Sequence, residues 1–303
     1  MRNILINGGT VFVSRFVAEY FAKQGDRVYV LNRNTKTQPQ GVTLIEADRN
    51  NLGDSLKGYS FDVVLDITSY TQADVQNLTN ALGSYSDYIF ISSSAVYPET
   101  LSQPFREEQP CGPNLIWGAY GTNKLAAEKY LQDHVPQAYI LRPPYLYGPM
   151  QNVYREPFVF ECAEQNRRFY IPKDGKMNLQ FFHVEDLCRF IQIILEKKPD
   201  NHVFNVGNPE SVSINEWVQL CFDTVGVNLK TVSVGTEHPQ RSYFCFHDYE
   251  YRLDVSKQAE LMPNVKPLAD GLQESYAWFC THRDDVVRRP YFEYIDNYIE
   301  NTV

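Results

Sequence analysis

The amino-acid sequence predicts an α/β protein in which a doubly wound parallel sheet is joined to a smaller, mainly helical C-terminal lobe. Three observations predict it. Short apolar runs rich in β-branched residues alternate with segments of helical period, the pattern of a sheet covered on both faces. A glycine turn, Asn7-Gly-Gly-Thr-Val-Phe-Val-Ser14, connects the first such run to the first helical segment. Beyond Arg142 the alternation stops, and Pro143, Pro144, Gly148, Pro149 and Pro157 mark an exit from the sheet.

Taken in order, Ile4 to Asn7 reads as a buried strand, and Phe12 to Gln24 as a helix stopped by Gly25. Arg27 to Leu31, Val42 to Glu46, Asp62 to Ile67, Tyr88 to Ser92 and Ala138 to Arg142 continue the sheet, with helices at about 71–82 and 118–134. Val184 to Glu196 has the period of a helix packed on the sheet, and Val203 to Val206 that of one more strand. The expected division is therefore a nucleotide-binding domain over 1–150, to which 178–206 returns, and a second lobe made of 151–177 and 207–303. Helices are expected in that lobe at 213–224, 256–261 and 268–280, followed by an aromatic segment from Tyr291 to Ile299.

Composition excludes several function classes. With 303 residues, 43% hydrophobic and 21% charged, the chain can bury a large core and has the make-up of an ordinary globular protein. A net charge of −9 argues against a nucleic-acid partner, whose affinity is built from clustered Lys and Arg. Cysteines at 111, 162, 188, 221, 245 and 280 form no CxxC pair and have no His at zinc-ligand spacing, so they read as reduced core thiols. No apolar run reaches membrane-spanning length, no cleavable leader is visible, and the expected compartment is the cytoplasm.

Two local patterns point to chemistry. The strand-turn-helix at the start is the context in which backbone N–H groups and a helix dipole face a diphosphate. Only part of the glycine set is present: Gly8 makes the tight turn, while Val11 and Ser14 stand where further glycines would be expected. A plain strand-turn-helix is the competing reading. If this turn binds a dinucleotide, Gly8, Thr10, Val11, Phe12 and Val13 line it. A positive φ at Val11 would cost roughly 1–3 kcal/mol, so a different backbone path is expected there, and Arg15 is placed to reach a phosphate.

The second pattern is Tyr120 and Lys124, four residues apart and so on one helical face. They are a candidate acid/base centre. A tyrosine ionises near pH 10, and bringing it to about 7 takes roughly 4 kcal/mol, to which a nearby ammonium contributes.

These pieces occur in a recognisable order. Ile91-Ser-Ser-Ser-Ala-Val-Tyr97 resembles an SSxxVYG segment, Tyr120 to Lys124 a YxxxK, and Leu141-Arg-Pro-Pro-Tyr-Leu-Tyr-Gly-Pro149 the motif that follows the next strand. Phe181-Phe-His-Val-Glu-Asp186 resembles FIHVDD. Asp254-Val-Ser-Lys257, Pro263, Gly271-Leu272 and Trp278 resemble a closing DxSK, P, GL, W pattern. Over nearly its whole length the chain is thus similar to the extended short-chain dehydrogenases/reductases of the NAD-dependent epimerase/dehydratase family, whose fold is Rossmann-type.

The resemblance implies an NAD(P)-dependent epimerase, reductase or dehydrogenase acting on a sugar or nucleotide-sugar carbinol. It implies that Ser93, with Ser94 as the fallback, hydrogen-bonds the reacting oxygen, and that Tyr120 moves the substrate proton. Lys124 would hold the nicotinamide ribose and lower the tyrosine pKa. Asp48 would contact the adenine, and a homodimer would form through the helices near 71–82 and 118–134. The competing reading of the serines is a strand end satisfied by hydroxyl-backbone bonds.

Coenzyme choice turns on Val30-Leu-Asn-Arg-Asn34, which lacks the acidic residue that holds both ribose hydroxyls of NAD. Between NAD and NADP, Asn32 and Arg33 therefore favour NADP, a solvated Arg33 being the alternative. Dehydratases of this type place Asp-Glu directly after the active-site hydroxyl; here Ser94 and Ala95 stand there, against a 4,6-elimination. Asp66-Ile-Thr-Ser-Tyr70 replaces the small residues of an HxAA-like stretch. Arg241 and Arg289 are candidates for a substrate diphosphate or else for surface ion pairs. His183 reads as a structural histidine. A second function class stays open, because the altered GGTxF turn resembles the chloroplast stem-loop RNA-binding branch of atypical members. The net charge predicts negligible RNA binding.

Overall fold

A computed structural model describes residues 1–300 and divides them into two compact units. Unit 1 comprises Met1–Leu146, Phe182–Pro209 and Leu253–Val265; unit 2 comprises Tyr147–Phe181, Glu210–Arg252 and the chain from Lys266 onward.

Unit 1 is built on seven parallel strands. Along the chain these are β1 (Asn3–Asn7), β2 (Arg27–Asn32), β3 (Val42–Glu46), β4 (Ser60–Asp66), β5 (Ser84–Ile91), β6 (Tyr139–Arg142) and Val203–Asn205. Across the sheet the order is β3, β2, β1, β4, β5, β6 and Val203–Asn205, so the order reverses between β1 and β4. In an open parallel sheet that reversal leaves a crevice at the carboxyl ends of the strands. Register sets Asn7 of β1 beside Asp66 of β4 there.

Both faces are covered. Helix α1 (Phe12–Lys23) and helix α5 (Val184–Lys197) close one face over Ile4, Ile6, Val28, Val63 and Ile89. Helices α2 (Gln72–Ala81) and α3 (Ala119–His134) cover the other over Leu5, Val64, Tyr88 and Phe90. α1 sits on the sheet because Ser14, Val17, Ala18 and Phe21 recur at helical spacing. α2 begins at a capping box: the Thr71 hydroxyl accepts from Asp74 N at 3.1 Å while Asp74 accepts from Thr71 N at 2.9 Å.

Expected and observed elements differ where polarity or proline hid the structure. β5 begins at Ser84 rather than Tyr88, because its first residues pair with β4 but bury little, and the apolar run starts only later. Helix α4 (Glu156–Glu164) was not anticipated, since Pro157 had read as a marker of the sheet exit. In the first turn of a helix a missing N–H costs no hydrogen bond, so proline starts this helix instead.

Unit 2 packs α4 against the helices Ile214–Val225 and Leu268–Thr281. Two short ladders accompany them: Phe169–Pro172 runs parallel to Thr231–Val234, and Asn178–Leu179 antiparallel to Val212–Ser213. Trp217 stacks on Phe181 and meets Phe244 and Phe246 edge-to-face, forming an aromatic core. Of the six thiols, four are buried. Cys280 is exposed and Cys111 half-buried, so these two are not core residues.

Candidate functional site

The site of unit 1 lies at the carboxyl ends of β1, β2, β4 and β5. Its first part is the glycine turn. Gly8 and Gly9 adopt φ of +116° and +99°. A Cβ on Gly8 would come within 2.6 Å of Thr68, and one on Gly9 within 2.5 Å of Val30, so both positions require glycine for conformation and for space. Val11 stays extended at φ −136° and serves as N-cap of α1. The strain falls one residue later, on Phe12 at φ +32°, where a side chain pays about 1–3 kcal/mol.

No side chain caps α1, and its first turn holds no acidic residue. The free N–H groups around Thr10, Val11, Phe12 and Val13 and the positive end of the helix dipole are therefore suited to an anion. Arg15 is turned to Glu19 instead, at 3.1 Å.

Asn32 ties the end of β2 to this turn: its Nδ2 donates to Gly8 O at 2.9 Å and to Gln38 Oε1 at 3.0 Å. Its side chain is a brace, not an open ligand. Arg33 and Lys36 beside it are exposed. Asp48 is exposed as well, and its Oδ1 is engaged by Asn50 N and Nδ2 at 2.9 and 3.0 Å.

The second part of the site surrounds the phenol. Three serines end β5, and they are not equivalent. Ser92 is buried and donates to Glu128, and Ser94 is buried. Ser93 is half-open, accepts from Ala95 N at 3.2 Å and faces the Tyr120 hydroxyl. Gly121 permits this approach of α3: a Cβ there would stand 2.3 Å from Ala95 O. Tyr120 exposes 41% of its surface, but its hydroxyl end is enclosed. Burial raises its pKa, the Tyr70 phenol raises it further, and only the Ser93 hydroxyl pulls it down.

Lys124 is held in a closed cage. Its Nζ donates to Ser69 O and Ile91 O, both at 2.7 Å, and lies 4.6 and 5.0 Å from the ring centres of Phe90 and Tyr70. Burial pulls its pKa down to about 8, against the opposing charges of Asp66, Glu128 and Asp74. An ammonium has three N–H donors and a neutral amine two. With two committed to carbonyls, the third is available to a ligand only in the protonated form.

The sequence assigned no chemical role to several other residues of the site. Asp66, fully buried, accepts from Asn7 Nδ2 at 2.9 Å, Ser69 N at 3.2 Å and Tyr88 OH at 2.7 Å. Tyr70 places its ring 6.2 Å from that of Tyr120. Glu128, one turn beyond Lys124, forms a buried bidentate pair with Arg142 at 3.0 and 2.6 Å. Arg142 continues to Tyr97 OH at 2.7 Å, and Tyr97 to Asn205 at 2.8 Å. A helical i, i+4, i+8 series Tyr120, Lys124, Glu128 was the available sequence signal for Glu128.

Unit 2 carries a separate basic group. Arg241 and Arg289 both depress the His247 pKa, after burial. Arg241 donates to Phe244 O at 3.2 Å and to Cys245 O, and neither arginine stands in an ion pair among the described residues. His183 is fully buried and accepts from Glu185 N at the start of α5, a structural place.

Comparison with known proteins gives a consistent picture. The model of the NAD dependent epimerase/dehydratase family matches residues 4–207. The chloroplast stem-loop binding protein of 41 kDa b of Arabidopsis thaliana is 26% identical over 91% of this chain and 78% of its own length. A probable GDP-L-fucose synthase 1 of Oryza sativa subsp. japonica is 29% identical over 69% of this chain, which spans 66% of that protein. A dTDP-glucose 4,6-dehydratase of Streptomyces niveus is 27% identical over 65% of this chain, which spans 58% of it.

Among solved structures, the UDP-glucose 4-epimerase of Thermotoga maritima with UDP-glucose gives a TM-score of 0.76 at 19% identity, over 92% of this chain and 99% of that one. The dTDP-glucose 4,6-dehydratase of Bacillus anthracis in complex with NAD gives 0.76 at 18% identity, over 94% and 99%. These two share the fold.

Proposed function

Because the chain belongs to the NAD-dependent epimerase/dehydratase family, we propose that it binds a nicotinamide dinucleotide and acts on a carbinol of a nucleotide sugar. The observation that carries this reading is the half-open Ser93 hydroxyl facing the Tyr120 phenol, with Lys124 one turn further along α3. The residues fit the coenzyme: an uncapped α1 N-terminus and a cramped Gly8-Gly9 turn suit its diphosphate, and the third N–H of Lys124 suits a ribose hydroxyl. The coenzyme, when bound, supplies hydride transfer to and from the carbinol carbon. Ser93 orients the reacting oxygen and Tyr120 exchanges its proton. Epimerisation or reduction is favoured over 4,6-elimination, since Ser94 and Ala95 bring no carboxyl group after Ser93.

NADP is the preferred coenzyme in this reading, because the exposed Arg33 and Lys36 follow β2 where no carboxylate stands. Calorimetric titration with NAD, NADH, NADP and NADPH tests both claims. The expected result is tighter binding of NADP and NADPH, with Arg33→Ala costing them roughly tenfold, about 1.4 kcal/mol, and leaving NAD unchanged. Equal affinities would reassign the coenzyme to NAD. No binding of any of the four would remove the enzyme reading.

The coenzyme site also has a pH signature. Above about 8 Lys124 loses the proton that carries its spare donor. Coenzyme affinity is therefore expected to fall between pH 7 and 9, by roughly ten- to a hundredfold for one lost charged hydrogen bond. In Lys124→Met it is expected to be weak and flat across that range, as read by coenzyme fluorescence titration. A wild-type affinity that stays constant to pH 9 would contradict the assignment.

A second reading rests on the Arabidopsis relative, which aligns over 91% of this chain: a stem-loop RNA binder on the same fold. Its signature is submicromolar RNA affinity that falls steeply with salt. A net charge of −9 predicts none at physiological salt.

A further inference from the structure

Asp66 has no role in the chemistry so far described, yet it stands at the centre of the bonds that hold Lys124. Three donors converge on its carboxyl group, Asn7 Nδ2, Ser69 N and Tyr88 OH, and all three are neutral. Asn7 Nδ2 also reaches Ser69 Oγ, at 3.1 Å, so the Ser69 turn is fixed from two sides. The carbonyl of that same Ser69 accepts the Lys124 ammonium at 2.7 Å. A buried carboxyl group satisfied only by neutral dipoles keeps a field that water does not screen, and the ammonium lies one peptide away.

We propose that Asp66 is a positioning residue for Lys124: it fixes, through the Ser69 turn, the carbonyl on which the ammonium rests, and it is the buried counter-ion that keeps this amine protonated at neutral pH. The inference deepens the coenzyme reading above and rests on it for its functional meaning, though its physical content does not need a ligand.

The other charged groups around Lys124 do not replace Asp66. Glu128, on α3 itself, is already spent on Arg142 in a bidentate pair. Asp74, at the start of α2, is half-exposed and accepts from Thr71 N and Tyr70 N. Arg49, which donates to Thr68 O and stacks toward Tyr70, opposes protonation. Burial keeps the Tyr120 phenol protonated in the ligand-free protein, so it brings no charge to the ammonium. Asp66 is the largest charge acting in favour of the ammonium, ahead of Glu128 and Asp74.

The test is direct titration of the Lys124 amine in the ligand-free protein, by NMR of 13C-labelled lysine or by its rate of labelling with an amine-reactive reagent, in wild type and Asp66→Asn. The substitution keeps the shape and exchanges the charge for a dipole. The expected result is a loss of at least tenfold in the proton affinity of Lys124, with the upper limb of the coenzyme-affinity pH profile displaced downward by the same factor. An unchanged midpoint in a folded Asp66→Asn variant would overturn the proposal. Should that variant fail to fold, salt dependence in wild type separates a buried counter-ion from half-exposed Asp74. A midpoint held by buried Asp66 stays constant between low and high ionic strength, whereas one held by half-exposed Asp74 falls as salt rises and would overturn the proposal. Absence of coenzyme binding alongside the expected titration would sink the functional reading and leave the role of Asp66 standing.

Discussion

Tyr120→Phe is expected to lower turnover by roughly two to four orders of magnitude while leaving coenzyme affinity within about threefold of wild type. The substitution removes one oxygen and keeps the ring, whose packing against Tyr70 at 6.2 Å survives. Coenzyme contacts come from elsewhere in this reading, from the α1 N-terminus and Lys124, so binding and chemistry separate. In the ligand-free protein burial and Tyr70 hold the phenol protonated, with its pKa above the ordinary value near 10. Tyr120 is thus poised as an acid, and work as a base requires the positive charge of an oxidised nicotinamide nearby. Steady-state kinetics on a nucleotide sugar that the wild type turns over, paired with coenzyme titration, makes the check. Undiminished turnover would take Tyr120 out of the mechanism, and lost coenzyme binding would make it a structural residue. Tyr70→Phe is the companion variant, since removing that phenol relieves one of the two influences that raise the Tyr120 pKa.

What the sequence disclosed and what it hid follow from one physical distinction. Strands such as Ile4 to Asn7 and the helix bearing Ser14, Val17, Ala18 and Phe21 are written locally, in buried runs and helical spacing. The spacing that puts Tyr120 and Lys124 on one face is local too. Gly121, between them, reads as a mere helix-weakening residue until Ala95 O is seen 2.3 Å from where its Cβ would be. Asp66 depends on register: Asn7 and Asp66 are neighbours only because β1 and β4 pair as they do, across 59 residues of chain. The same holds for Arg142 and Glu128, and for the choice of Ser93 over Ser92 and Ser94, which burial decides. The direction of the Lys124 side chain shows the limit of spacing arguments. One helical turn brings the two side chains to one face, but the ammonium points into carbonyls of Ser69 and Ile91. Pro157 illustrates the opposite error, in which a strong local signal has two meanings that only position in the helix separates.

Breaking the ion pair beneath the serines is expected to be the most damaging single change to stability. Glu128 and Arg142 expose 1% and 4% of their side chains, so each charge depends on the other. Glu128→Ala leaves a guanidinium buried with its Tyr97 contact and no counter-charge, a situation that costs about 3–5 kcal/mol. An exposed pair such as Lys57 and Asp54, at 2.7 Å, contributes roughly 0–1 kcal/mol by the same physics in water. The loss reaches the candidate site as well. Ser92 gives up its acceptor, and the strand end that presents Ser93 is then tied to the segment after Ile140 through its backbone bonds to Leu141 and Pro143, at 2.7 and 3.0 Å. Denaturant unfolding followed in parallel with turnover separates the two effects: Glu128→Ala is expected to lose both stability and rate. Glu128→Gln, which retains the shape and one acceptor oxygen, is expected to lose less stability. A Glu128→Ala protein as stable as wild type would show that the Arg142 charge finds water or another partner, and the case for a rigid, charge-locked floor under Ser93 would fall with it.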